Sequence, residues 1–208
     1  MTDGRIRTLI ADDHAIVRMG LISLLKSEPD LDVVGEADDG TSAIKKARQL
    51  KPDVAIIDLM MPEMDGIAAT KEILRHDPGI KVLILTTSTV SDELARALEA
   101  GASGVIIKNY EYAELISAIH NVHNGQNAIS PEIRRMIAED PPLPTLSNRQ
   151  KEILQSVTRG LTNADIAKQL SISPDMVKEH LNALFSKIGA ANKAEAVAIA
   201  LRKHLLKI

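Results

Sequence analysis

Five times in its first 125 residues the chain repeats one pattern, an apolar run rich in β-branched residues followed by an amphipathic helical stretch. "RIRTLIA" precedes "HAIVRMGLISLLKS", "LDVVGEA" precedes "GTSAIKKARQL", and "DVAIID" precedes "GIAATKEILRH". "IKVLILT" then leads into "SDELARALEA", and "SGVIIK" into "YAELISAIHNVHNG". Strict alternation of this kind predicts an α/β domain, a doubly wound five-stranded parallel sheet wrapped by helices on both faces. Turn segments such as "KPD", "DPG" and "AGA" close the pairs.

After Gly125 the pattern stops. "SPEIRRMIAEDPPLPT" joins a short helical piece to Pro141, Pro142 and Pro144, and reads as a linker over 126–145. From "LSNRQKEIL" onward only helical periodicity remains, in segments near 147–158, 162–169, 174–188 and 192–204. The expected organisation is an α/β domain at 1–125, the linker, and a small all-α domain at 146–208. With 208 residues the chain is long enough for two cores.

The two halves carry opposite charge. Residues 146–208 hold ten Lys/Arg against five Asp/Glu, a balance of +5, and the remainder holds 15 against 23, a balance of −8. An acidic front joined to a basic tail suggests nucleic acid as the partner of the tail. The chain has no cysteine, which excludes disulfide frameworks and thiol chemistry. No stretch reaches the apolar length of a membrane span and the N-terminus is too short in apolar residues for a signal peptide, so the expected location is cytoplasmic, without membrane association.

Polar residues fall at the carboxyl ends of the predicted strands, where ligand sites of open parallel sheets lie. Asp12 and Asp13 follow the first strand, Asp58 the third, Thr86 the fourth and Lys108 the fifth. Singly, several have ordinary explanations: Asp13 could cap the following helix, Thr86 could be a plain strand end, and Lys108 a solvated charge. Asp58 is different, because a carboxylate closing "VAIID" has no evident solvent or capping role. Three converging carboxylates repel one another unless a cation lies between them, and Mg2+ suits such oxygen ligands while keeping positions open for a phosphate oxygen.

In the tail, "NADIAKQLSISPDMVKEHLNALFSKI" reads as helix, short turn, helix. Val177, Leu181, Leu184 and Ile188 fall on one stripe of the second helix. The opposite face offers Asp175, Glu179, Asn182 and Ser186, flanked by Lys178 and Lys187. Single-stranded nucleic acid fits poorly, since stacking platforms need aromatics and the chain has only Tyr110, Tyr112 and Phe185.

These residues resemble a known family. "ADD" at 11–13, "DLMMPEMDG" at 58–66, "LTTS" at 85–88 and "GVIIK" at 104–108 resemble the receiver domain of bacterial two-component response regulators, whose fold is flavodoxin-like. The resemblance implies that Asp58 accepts a phosphoryl group from a sensor histidine kinase. It further implies Mg2+ on Asp13, Asp58 and the backbone carbonyl of Met60, with Asp12 close by, and Thr86 and Lys108 on the phosphoryl oxygens. Such a chain is a regulator rather than an enzyme. One departure stands out: many receivers carry Tyr or Phe where this chain has Val105, and that aromatic takes part in the output switch.

"LSNRQKEIL", "GLTNADIAKQLSIS" and "VKEHLNALFSKIGA" are similar to the LuxR-type helix-turn-helix of NarL/FixJ response regulators. That resemblance implies a dimer on double-stranded promoter DNA, with the helix at 174–188 in the major groove. Lys178, Glu179 and Asn182 become the base readers, and Lys187 and Lys193 contact phosphate or pack the domain. Met176, Ala183 and Lys193 stand where Thr, Asn and Arg are usual. Two rival readings are a DNA-binding regulator whose receiver is never phosphorylated and serves protein interaction, which Val105 supports, and a haloacid-dehalogenase-like phosphohydrolase. The second expects another Asp two residues after its nucleophile, where this chain has Met60.

Overall fold

The structure, a computed structural model, describes residues 4–109, 111–144, 146–203 and 205–206. Tyr110 and the outermost ends of the expected domains therefore lie outside the described residues. The chain forms two compact units, residues 1–141 and 142–208.

The first unit is a parallel sheet built from β1 (Ile6–Ala11), β2 (Leu31–Ala37), β3 (Val54–Asp58), β4 (Lys81–Thr86), β5 (Gly104–Ile107) and β6 (Ala128–Ile129), in the order β2-β1-β3-β4-β5-β6. Between the strands run α1 (Ala15–Lys26), α2 (Gly40–Leu50), α3 (Gly66–His76), α4 (Ser91–Glu99) and α5 (Tyr112–His123). Successive strand residues point to opposite faces, and each face has its own core. On one face Leu9, Ala55, Ile57, Val82 and Ile84 pack with Ala43 and Ala47 of α2, Ile73 of α3 and Leu94 of α4. On the other, Ile10, Val54, Ile56, Leu83 and Leu85 pack with Leu21 and Leu25 of α1 and with Leu115, Ile119 and Val122 of α5. Because both faces are covered, all five residues of β3 are buried, Asp58 among them.

Among the described residues the sheet has six strands, one more than the alternation predicts. The extra strand, β6, lies in the segment expected to be linker, pairs with β5 through Gly104 with Ala128 and Val105 with Ile129, and is followed by α6 (Pro131–Glu139). Ser130 caps α6 by accepting from Ile133 N, and Pro131 supplies the fixed φ of a first helical turn. Ile133 is buried in the same core as Leu94 and Val105, so β6 and α6 belong to the first unit.

Strand order reverses between β1 and β3. The connection after β1 leads outward to β2 and the connection after β2 returns to β3 on the other side, leaving a crevice at their carboxyl ends. Gly66 keeps that crevice tight: a Cβ there would lie 2.3 Å from the Asp58 carbonyl oxygen, so the loop after β3 closes down only with glycine at this position.

The second unit contains α7 (Asn148–Thr158), α8 (Asn163–Leu170), α9 (Pro174–Ile188) and α10 (Lys193–Arg202). Each start is marked in the sequence. Ser147 with Gln150 and Thr162 with Asp165 form capping boxes, Ser173 caps α9 ahead of Pro174, and Asn192 caps α10. Gly189, at φ 72°, ends α9 in the left-handed conformation. Val177, Leu181, Leu184 and Ile188 are all buried and join Ile153, Leu154, Ile166 and Ala196 in one core. Burial of each such side chain stabilises the unit by about 1.5–3 kcal/mol relative to exposure.

Candidate functional site

Asp12, Asp13, His14 and Asp58 converge at the crevice, each offering a ligand atom within 4.8 Å of those of the others. Parallel pairing of Ala11 with Ile57 brings the end of β1 level with the end of β3. Asp12 is buried and accepts from His14 N at 2.8 Å, a local turn that starts α1. The cap position of α1 is therefore His14, and no side chain caps it. This disposes of the helix-cap explanation for Asp13. Among the described residues, no donor meets the buried Asp13 Oδ1 in hydrogen-bond geometry, although His14 Nδ1 lies 2.7 Å away. An orphaned, buried carboxylate oxygen facing two more carboxylates is a donor set suited to a divalent cation.

Lys108 reaches into the cluster from the end of β5. Its Nζ lies 2.7 Å from Asp12 Oδ2 and 2.9 Å from Asp58 Oδ2. Burial alone would lower the Lys108 pKa, but its hydrogen bonds to the two carboxylates outweigh that and hold it above its ordinary value. Asp58 titrates above the usual carboxylate range because burial penalises its charge and Asp12 adds repulsion, while Lys108 and the Met60 N–H, 3.4 Å from Oδ1, act in the opposite direction. The Met60 side chain is exposed at the crevice.

Thr86, fully buried, ends β4 beside this group, where Lys108 N donates to its carbonyl at 2.7 Å. Its hydroxyl accepts from Ser88 N at 2.9 Å, and Ser88 in turn donates to Glu93 of α4. Four of the five positions taken from the strand ends, Asp12, Asp13, Asp58 and Lys108, thus bring their side chains together, and Thr86 lies at the neighbouring strand end with its hydroxyl bonded to Ser88 N. Two contributors escaped the sequence reading. His14 adds an imidazole to the cluster, and Arg18 holds the Asp12 carbonyl with Nη1 at 2.7 Å while pairing with Glu36 at 3.0 Å. The adjacency "DDH" was the available sign of the first; the i+4 spacing from His14 to Arg18 offered little sign of the second.

On α9 of the second unit, Lys178, Glu179 and Asn182 are exposed with Asp175 and Ser186, opposite the buried stripe. Lys187 and Lys193 are only half-exposed. Lys187 Nζ donates to Gln150 Oε1 at 3.3 Å and Lys193 Nζ to the Leu161 carbonyl at 3.0 Å, so both cations are engaged within their own unit.

Comparison with known proteins agrees with both halves. The family model for the response regulator receiver domain matches residues 8–120, and that for bacterial regulatory proteins of the luxR family matches residues 144–200. The chain belongs to the two-component response regulators that join a receiver to a LuxR-type DNA-binding domain, a class of transcription regulators rather than enzymes.

Within that class it is similar to the response regulator protein VraR of Staphylococcus saprophyticus, with 34% identity over 97% of this chain and 99% of the relative. It is likewise similar to the transcriptional regulatory protein LiaR of Bacillus subtilis, with 35% identity over the same shares. Among solved structures it resembles the response regulator ChrA of a heme-sensing two-component system, at 36% identity, a TM-score of 0.58 and coverage of 98% of this chain and 100% of that one. The two-component response regulator RcsB in complex with DNA matches at 27% identity and a TM-score of 0.67, over 95% of this chain and 98% of that one. No helix among the described residues is long and apolar enough to cross a membrane.

Proposed function

We propose that Asp58 is the phosphoacceptor of this regulator and that its phosphorylation by a sensor histidine kinase governs binding of a homodimer to double-stranded promoter DNA. The observation that carries this reading is the Lys108 ammonium held against Asp58 and Asp12 inside a three-carboxylate cluster at a topological switch point. A carboxylate oxygen of Asp58 forms the new phosphorus–oxygen bond while the phosphorus–nitrogen bond of the donor phosphohistidine breaks and its electron pair leaves with the imidazole. Lys108 and the Thr86 hydroxyl are the groups suited to the equatorial phosphoryl oxygens. Asp12, Asp13 and Asp58, with the Met60 carbonyl, are the residues that would hold Mg2+, which when bound supplies charge neutralisation for the incoming phosphoryl group.

In the second unit, Lys178, Glu179 and Asn182 project from α9 on the face away from the core, the side from which a major-groove helix reads base edges. Lys187 and Lys193 serve mainly to pack the domain. A selection of duplex DNA from a random pool by the full chain, with and without acetyl phosphate and Mg2+, tests the coupling. Enrichment of a repeated half-site that strengthens with the phosphoryl donor is expected. Equal enrichment in both arms would favour a regulator indifferent to phosphorylation.

A further inference from the structure

Asp13 and His14 stand in an unusual relationship at the mouth of the crevice. His14 Nδ1 lies 2.7 Å from the buried Asp13 Oδ1, yet among the described residues that oxygen receives no aligned hydrogen bond. A nitrogen and an oxygen this close, with no proton directed between them, match adjacent corners of a coordination shell. With bonds of about 2.1 Å to an octahedral cation, neighbouring ligand atoms lie about 3 Å apart.

The rest of the cluster leaves this pair available. Lys108 takes Asp12 Oδ2 and Asp58 Oδ2, at 2.7 and 2.9 Å, while the Oδ1 atoms accept from His14 N at 2.8 Å and Met60 N at 3.4 Å. Among the described residues Lys108 bonds neither Asp13 nor His14, so the ammonium leaves both to another cation. His14 occupies the cap position of α1, but its side chain caps nothing. Its backbone is anchored by the bond to Asp12, and its imidazole is 68% exposed, so coordination costs the ring little desolvation. With the proton on Nε2, the neutral imidazole presents the Nδ1 lone pair to the cluster. Among the described residues, no other histidine shares a group of three or more potential ligands: His120 pairs with Asp30, and His76 faces Arg48 and Arg75.

An imidazole changes which cation such a site prefers. Mg2+ is satisfied by oxygen and gains little by exchanging a water for nitrogen, whereas Mn2+, Co2+, Ni2+ and Zn2+ accept imidazole readily. The chain has no cysteine to compete for them. We propose that His14 is a metal ligand alongside Asp13, and that it tunes the acidic cluster to a first-row transition cation, for which Co2+ and Zn2+ are the probes, in preference to Mg2+. The inference rests on the reading of that cluster as a divalent-cation site and is independent of phosphoryl acceptance by Asp58.

Titration of the full chain with Co2+, followed by its visible d–d absorption, tests it together with melting temperature against Co2+, Zn2+ and Mg2+ concentration. The parent binds one Co2+, and excess Mg2+ displaces it. His14→Asn lowers the ratio of Co2+ to Mg2+ affinity about tenfold, and Asp13→Asn loses both cations. In the parent, proton NMR of the Co2+ complex shows one strongly shifted, exchangeable imidazole N–H resonance that disappears when excess Mg2+ takes the site, a signature that needs no variant. An unchanged ratio in His14→Asn, or Co2+ that excess Mg2+ fails to displace, overturns the role of His14 and assigns the Co2+ to another histidine. Retention of both cations by Asp13→Asn overturns the cation site and the inference with it. Intact mass after acetyl phosphate reads the acceptor role of Asp58 separately from either result.

Discussion

Lys108 Nζ sits 2.9 Å from Asp58 Oδ2, joining the ends of β5 and β3 across the end of β4 that lies between them. The contact places a fixed positive charge beside a carboxylate that burial would rather keep neutral, so the nucleophile of the proposed reaction carries a cost in the resting protein.

That cost has a sign. Because the folded-state pKa of Asp58 is raised, the native protein retains a proton that the unfolded chain has already released. Stability attributable to Asp58 therefore falls as pH climbs from the ordinary carboxylate range to the raised value, and stays lower above it. Asp58→Asn removes the penalty. Without divalent ions the variant melts at a higher temperature than the parent at neutral pH, and the difference shrinks in acid; a thermal melt series across about pH 4–8 checks this.

Divalent cation reverses the balance. Mg2+ at about a hundredfold over its dissociation constant stabilises the chain by about 2.7 kcal/mol if it binds only the folded state. Asp13→Asn, which removes one carboxylate charge from the cluster, abolishes that gain, whereas monovalent salt without divalent cation gives none to either protein. Melting temperature against Mg2+ concentration is the measurement.

On α9, Glu179 offers the sharper test of orientation. A carboxylate among phosphates is repelled unless it accepts from a cytosine amine, so Glu179→Ala raises non-specific affinity and erases a cytosine preference opposite it. Lys178→Ala or Asn182→Ala costs about 1–3 kcal/mol at one base pair and relaxes the preference there. Selected-site sequences and titrations of each variant separate these effects; an unchanged motif in Glu179→Ala means that the residue faces solvent.

Lys193 behaves differently. Its ammonium bonds the Leu161 carbonyl, so Lys193→Met lowers stability by about 1 kcal/mol and leaves the salt dependence of DNA binding almost unchanged. Lys178→Ala, by contrast, is read at the DNA. Urea denaturation and binding at two salt concentrations distinguish the two lysines.

Much of this was legible in the sequence because its signals are periodic. Five strand and helix pairs define the sheet, and once the strands are placed, Asp12, Asp58 and Lys108 meet at its carboxyl edge, with Thr86 at the strand end between Asp58 and Lys108. The four buried residues of α9 likewise follow from their spacing. β6 escaped because two residues, Ala128 and Ile129, are too few for an alternating pattern to declare itself. α6 was readable as a short helix but its partner was not, since one buried Ile133 and the Ser91 to Asp140 bond are contacts made by tertiary packing. The engagement of Lys187 and Lys193 within their own unit is invisible for the same reason.

Intact-protein mass spectrometry after incubation with acetyl phosphate and Mg2+ tests the central claim most directly. The parent chain gains one phosphoryl group, and Asp58→Asn gains none while remaining folded by the melt described above. Equal labelling of the variant would move the acceptor to another residue and contradict the account of the site.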